Sequence, residues 1–250
     1  MNYQFEICAN SVESCLAAQE GGAHRVELCA GIPEGGTTPS YGEIAMAREL
    51  LDIKLHVIIR PRGGDFLYTE QEIQIMERDI QMAHQLGVDG VVFGCLTPNG
   101  HIDKTKTKRL IESAQGLSVT FHRAFDVCAD PYLALNDLIE LGVNRILTSG
   151  QQPTALQGLS LIKELIQKAN NRIITLPGSG INKSNIRQIA MESGAKEFHF
   201  SARENRNSNM IHRSTQVSMN SPGMPDEYMQ SVTTAQRVRE TINALEAIQW

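Results

Sequence analysis

The stretch YQFEICANSVESCLAAQEGGAHRVELCA, residues 3–30, decides the fold. It opens on a short apolar run (Tyr3–Cys8) and passes Asn10 and Glu13, which stand at capping-box spacing. An amphipathic segment follows and stops at Gly21-Gly22, a pair suited to a helix C-terminus. A second short run, His24–Cys29, comes next. The unit therefore reads strand, helix, strand. It recurs along the chain. Further runs are Leu55–Arg60, Gly90–Cys95, Ser118–Arg123, Asn144–Ser149, Arg172–Pro177 and Glu197–Ala202. Their centres lie about 21 to 34 residues apart, the length of a strand plus a helix.

Helix signals fill the intervals. Ser40 with Glu43 and Thr69 with Glu72 have capping-box spacing, and Asp130-Pro131 reads as an N-cap followed by a first-turn proline. Gly87, Gly142 and Gly194 mark helix ends. Eight β-α units predict an α/β fold, a single-domain (β/α)8 TIM barrel spanning residues 1–250. The competing open doubly wound sheet lacks its G-x-G-x-x-G after the first strand. One segment breaks the rhythm. Residues 203–231 are rich in Asn, Ser, Met and Arg without a clean period, and predict a long loop at the barrel mouth before a last helix over Val232–Ile248.

Composition narrows the class. Of 250 residues, 23 are Lys or Arg and 28 are Asp or Glu, a net charge of −5 that argues against a nucleic-acid partner. No apolar run approaches the roughly 18 residues that span a bilayer, so no membrane partner is expected. The N-terminus lacks the basic and apolar regions of a signal peptide. Five cysteines (Cys8, Cys15, Cys29, Cys95, Cys128) without a CxxC pair predict reduced thiols and a cytoplasmic location.

Alternate residues of a barrel strand point into the lumen. Polar residues mark that parity: Glu6 and Cys8, Glu27 and Cys29, His56 and Arg60, Thr120 and His122, Glu197, His199 and Ser201. Barrel lumens are usually filled by Val, Ile and Leu. One reading is a structural network of Glu6 and Glu27 with Arg60, His122 and His199. The other is a site, with Glu6, Glu27, His122 and His199 as candidate acid–base residues. The motif E-[IL]-C-A occurs at Glu6–Ala9 and Glu27–Ala30. If the two copies lie in register, Cys8 and Cys29 face each other and suit a soft ion such as Cu(I); otherwise both are small core residues. Glycines at Pro177–Ile181, with Ser201-Ala202 after strand 8, read either as an anion cradle of Gly178, Ser179, Gly180, Ser201 and Ala202 or as an ordinary tight turn. Arg60, Arg62, Arg123 and Asp126, in RPRGGDF and FHRAFD, are candidate substrate contacts.

These runs carry a resemblance. EICA, RVELC (Arg25–Cys29), GGTTPS (Gly35–Ser40), IRPRGGDF (Ile59–Phe66), FHRAFD (Phe121–Asp126), ILTSGQ (Ile146–Gln151), PGSGI and HFSA (His199–Ala202) resemble the CutC family of copper homeostasis proteins. The resemblance covers residue 3 to about 240. Thr37 stands where the family more often has Leu. The resemblance implies a TIM barrel, a cytoplasmic homo-oligomer, and Cu(I) as ligand of Cys8 and Cys29. In the copper reading Met210, Met219, Met224 and Met229 with His212 are candidate soft auxiliary ligands; the other reading of these methionines is a loop that packs with adaptable side chains. The alternative from the lining residues is an enzyme acting on a small anionic or phosphorylated metabolite.

Overall fold

The computed structural model describes residues 3–214, 216–218 and 226–246. Eight parallel strands are β1 (Gln4–Ala9), β2 (Arg25–Leu28), β3 (Lys54–Ile58), β4 (Gly90–Phe93), β5 (Ser118–Phe121), β6 (Arg145–Thr148), β7 (Ile174–Pro177) and β8 (Glu197–Phe200). Their order is β7-β6-β5-β4-β3-β2-β1-β8, with β8 and β7 side by side at the two ends. The chain is a TIM barrel. Seven parallel pairings join the strands, and the β7–β8 joint has none among the described residues.

Eight helices surround the sheet: α1 (Val12–Glu20), α2 (Tyr41–Leu50), α3 (Glu70–Gln85), α4 (Lys104–Ser113), α5 (Pro131–Glu140), α6 (Leu159–Ala169), α7 (Ile186–Ser193) and α8 (Ala235–Glu246). Both predicted capping boxes, Ser40/Glu43 and Thr69/Glu72, form. Asp130 caps α5 through the N–H groups of Tyr132 and Leu133. The first helix differs from expectation. Ser11, not Asn10, is its cap and accepts from the Ser14 N–H. Asn10 instead accepts from the Ser14 hydroxyl and donates to the Ser231 carbonyl, tying the barrel rim to the long segment.

That segment has regular ends. Arg203–Asn207 (β9) and Met229–Thr233 (β10) pair as an antiparallel ribbon. Val232 therefore lies in a strand, and the last helix begins at Ala235 rather than Val232. Two isolated strands without period-2 hydrophobicity carry little signal in sequence, because their outer residues are exposed on both faces. Ile248 falls outside the described residues.

The outward strand side chains pack under the helices. Phe5, Phe93, Phe121 and Phe198 are fully buried there with Ile7, Val26 and Leu55. This apolar layer, between sheet and helices, is the main core and contributes stabilisation of about 25 cal/mol per Å² buried. It leaves the lumen free to hold charge. We call the N-terminal strand ends the floor of the lumen and the C-terminal ends its mouth.

Candidate functional site

The floor is an ion-pair chain. Arg25, at the start of β2, bonds Glu6 and reaches Glu197 at 2.7 Å. Arg145, at the start of β6, meets Glu197 at 2.8 Å and the Ser118 hydroxyl at 2.6 Å. Burial pushes the Glu6 carboxyl up, but Arg25, His199 and His56 outweigh it and hold Glu6 well below the usual carboxylate range. Glu6 is thus a fixed anion. His56 sits 3.7 Å from it, wholly buried, and its Nδ1 has no hydrogen-bond partner. Burial pulls His56 down to about 3.

One layer higher, His199 connects floor and mouth. Its Nδ1 lies 2.7 Å from Glu6 Oε1, and its Nε2 lies 3.6 Å from Glu27 Oε2. Burial works against its charge, yet Cys8, Glu6 and Glu27 raise it to about 10. Glu27 is the contrasting carboxyl. Burial raises it to about 8, opposed by His199. Ligand atoms of Cys8, Glu27 and His199 lie within 4.8 Å of one another, a grouping able to hold a metal ion.

The two E-[IL]-C-A motifs do not lie in register. Glu6 pairs with Arg25 and Cys8 with Glu27, an offset of two residues. A two-residue stagger preserves the face, since side chains alternate with period two. Barrel closure requires such staggering. Cys8 and Cys29 consequently still meet, with Sγ atoms 3.8 Å apart. The Cys29 bond, His199 and Arg203 hold the Cys8 thiol well below its ordinary value against burial. Cys8 Sγ accepts from Arg203 Nη2 at 3.1 Å. Cys29, whose neighbour takes the charge and which is itself buried, goes the other way.

A cavity of about 150 Å³ lies over these thiols, lined by Cys8, Glu27, Cys29, Arg60, His122 and His199 among others. A larger depression of about 310 Å³ continues outward past Arg123, Ser179, Gly180, Ser201 and Arg203. His122 follows β5 and packs on Phe66, with ring centres 4.9 Å apart. It can do so because Gly94 leaves room: a Cβ there would stand 2.7 Å from His122 Nδ1.

Not every expected residue comes to this place. Arg60 lines the cavity, but its guanidinium donates to the carbonyls of Glu34, Gly36 and Gly64 and lies over Phe66. It braces two loops and pairs with neither Glu6 nor Glu27. Arg62 turns outward to Glu72 of α3 and to Asp65, away from both cavities. Asp126 accepts from Thr148, the Ser149 amide and hydroxyl, the Gln151 amide and Arg123, so it clamps the loop after β6. The Gly178 amide is engaged by the Thr148 carbonyl. Ala202 adopts a left-handed φ of 47° and its carbonyl accepts from Thr234. Met210 and His212 are exposed, Met229 lies in β10, and none lines either cavity; Met219 and Met224 are outside the described residues.

Three participants escaped the sequence reading. Arg25 and Arg145 share the inward parity of Glu27 and Leu147, so alternation marked them. Arg203 opens the aperiodic segment, where no period could place it.

The fold and site define a TIM barrel with an ion-paired lumen and two adjacent free thiols at its mouth. The chain belongs to the CutC family, whose model matches residues 3–204. It is 63% identical over 246 residues to the family protein CutC of Bacteroides thetaiotaomicron, covering 98% of this chain and 99% of that one. It is 49% identical over 243 residues to the human protein named copper homeostasis protein cutC homolog, covering 97% and 89%. The crystal structure of CutC from Streptococcus agalactiae superposes with a TM-score of 0.77 at 39% identity, over 80% of this chain and 98% of that chain.

Proposed function

We propose that the protein binds Cu(I) through Cys8 and Cys29, as a copper homeostasis protein of its family. The observation that carries this reading is the 3.8 Å separation of the two sulfurs at a cavity wall. Two metal–thiolate bonds of about 2.3 Å each span such a gap without backbone movement. Soft thiolates select Cu(I) over hard cations. Cys29, His199 and Arg203 favour the thiolate form of Cys8, and Arg203 compensates its charge. His199 stands beside Cys8 and becomes a third donor once copper displaces its Nε2 proton, since Cys8, Glu6 and Glu27 hold the ring protonated in the copper-free protein. Its Nδ1 is fixed by Glu6, the carboxylate arrangement that orients metal-binding histidines. All five cysteines are free, which supports a reducing, cytoplasmic setting. Among the described residues no helix is long and apolar enough to cross a membrane.

An anaerobic Cu(I) titration of the reduced protein against a competing chelator tests this. The wild type is expected to take up one copper, and the Cys8→Ser/Cys29→Ser variant to lose at least about a hundredfold in affinity, the scale of losing a charged ligand. Equal binding by both proteins would overturn the reading.

A further inference from the structure

The copper reading leaves buried donors at the mouth unexplained, Arg60 Nε among them, and two lie at different depths. His122 is 5% exposed, and its Nδ1 accepts from the Ala124 N–H at 3.2 Å. The ring proton of the neutral imidazole must then sit on Nε2. That Nε2–H has no acceptor among the described residues. Burial and the nearby Arg60 charge pull His122 down to about 3, which keeps the ring neutral and this tautomer in place. The second donor is Arg203 Nε, buried and equally unpartnered. His122 lines the inner cavity and Arg203 the outer one, and the two cavities share Cys8, Ile32, Gly35, Arg123 and His199. A buried donor without a partner bears its desolvation cost with nothing in return. Two of them along one continuous space ask for a ligand with oxygens at both depths.

The outer space is built for negative charge. Arg123 engages Asp126 through Nε and Ser149 through Nη2, which leaves its Nη1 to the depression. Arg203 borders the same space. Ser179 and Gly180 follow on the same wall with positive φ of 79° and 73°. The Ser179 side chain is held by the Pro153 carbonyl and its own carbonyl by the Ala155 N–H, while the Ser179 and Gly180 amides donate no hydrogen bond among the described residues. The Ser201 hydroxyl makes no hydrogen bond among the described residues and lines the same wall. Two guanidiniums beside such a cradle match a dianion. The inner space offers a neutral N–H donor beside Phe66, Ile58 and Leu147, which suits a carbonyl oxygen on a short carbon chain.

We propose that the barrel mouth is a binding site for a small phosphate monoester bearing a carbonyl group, its phosphate held by Arg123, Arg203 and the Ser179–Gly180 amides and its carbonyl oxygen by His122 Nε2–H. The site uses neither cysteine as a partner. Its test is therefore made on metal-free protein and stands apart from the copper titration.

The probe is dihydroxyacetone phosphate, with inorganic phosphate as the fragment control. Binding is followed by calorimetry and by the ring ¹⁵N signals of labelled His122. Dihydroxyacetone phosphate is expected to bind at least about tenfold tighter than inorganic phosphate, the worth of one added hydrogen bond to a buried donor. It should shift the His122 Nε2 resonance, whereas phosphate alone should not. Arg123→Gln should weaken both ligands about tenfold or more. His122→Phe, which keeps the ring packing on Phe66, should bring dihydroxyacetone phosphate down to the level of phosphate. Equal affinity for the two ligands in the wild type, or an unmoved His122 signal at saturation, would overturn the proposal without reliance on any variant.

Discussion

Floor and mouth of the same lumen hold the same residue types on different terms. At the floor, Arg25, Glu6, Glu197 and Arg145 form a chain in which each charge meets an opposite one. At the mouth, Cys29, His199 and Arg203 favour a thiolate at Cys8, Glu27 keeps its proton into neutral pH, and His122 Nε2 lacks an acceptor among the described residues. Neighbouring layers of one barrel thus separate two uses of buried polarity. The floor's pairs are mutually satisfied, and removing one member exposes the desolvation cost of the others. The mouth also holds polar atoms without partners among the described residues, as the floor does at His56 Nδ1, but at the mouth they border a cavity. His199 belongs to both, with one nitrogen on Glu6 and the other toward Glu27.

This contrast breaks most visibly at Glu6. Glu6→Gln should destabilise the fold by about 3–5 kcal/mol, because Arg25 and His199 lose a buried partner together. Urea unfolding measures it; a loss under 1 kcal/mol would mean that the floor pairs do not hold the lumen together. A smaller effect is expected from His56, whose folded value is depressed to about 3. The unfolded chain takes up that proton near pH 6.5 and the folded chain does not. The stability this group contributes is present above pH 6.5 and is lost as pH falls toward 3. Between pH 6.5 and 4.5, the wild type should lose about 1.4 kcal/mol per pH unit relative to His56→Gln. Glu27 slopes the opposite way in both proteins and cancels in the difference. Parallel pH profiles would place His56 in a wetter setting than its burial shows. The smallest effect belongs to Arg62→Gln. Its ion pairs to Glu72 and Asp65 lie on the surface, so the cost should not exceed about 1 kcal/mol, with Cu(I) affinity unchanged. A change in copper affinity would tie the outer loop to the mouth.

The barrel was legible because each strand is a short run between a glycine stop and a capped helix, and such signals are local. Inward parity was legible for the same reason, and it placed Cys8, Glu27, Cys29, His122 and His199 together. Partners were harder. Arg60, beside a polar strand, looked like the counter-ion of Glu6, but loop carbonyls capture it and Arg25 takes that role from the neighbouring strand. Which cation meets which anion depends on the stagger between strands, a property of closure that no single strand encodes. Arg203 lay hidden because β9, the strand that carries it, has no buried face to leave a pattern.

One joint of the ring differs from the rest. β7 and β8 are neighbours without ladder bonds among the described residues, and across that joint the His199 ring closes on Gly178, where a Cβ would stand 3.2 Å from it, with Leu147 of β6 on the other side at 2.5 Å. The barrel is in effect a split collar, fastened by side chains at its gap. The gap runs beside Ser179 and Gly180, so widening the mouth there parts van der Waals contacts and leaves every backbone rung intact.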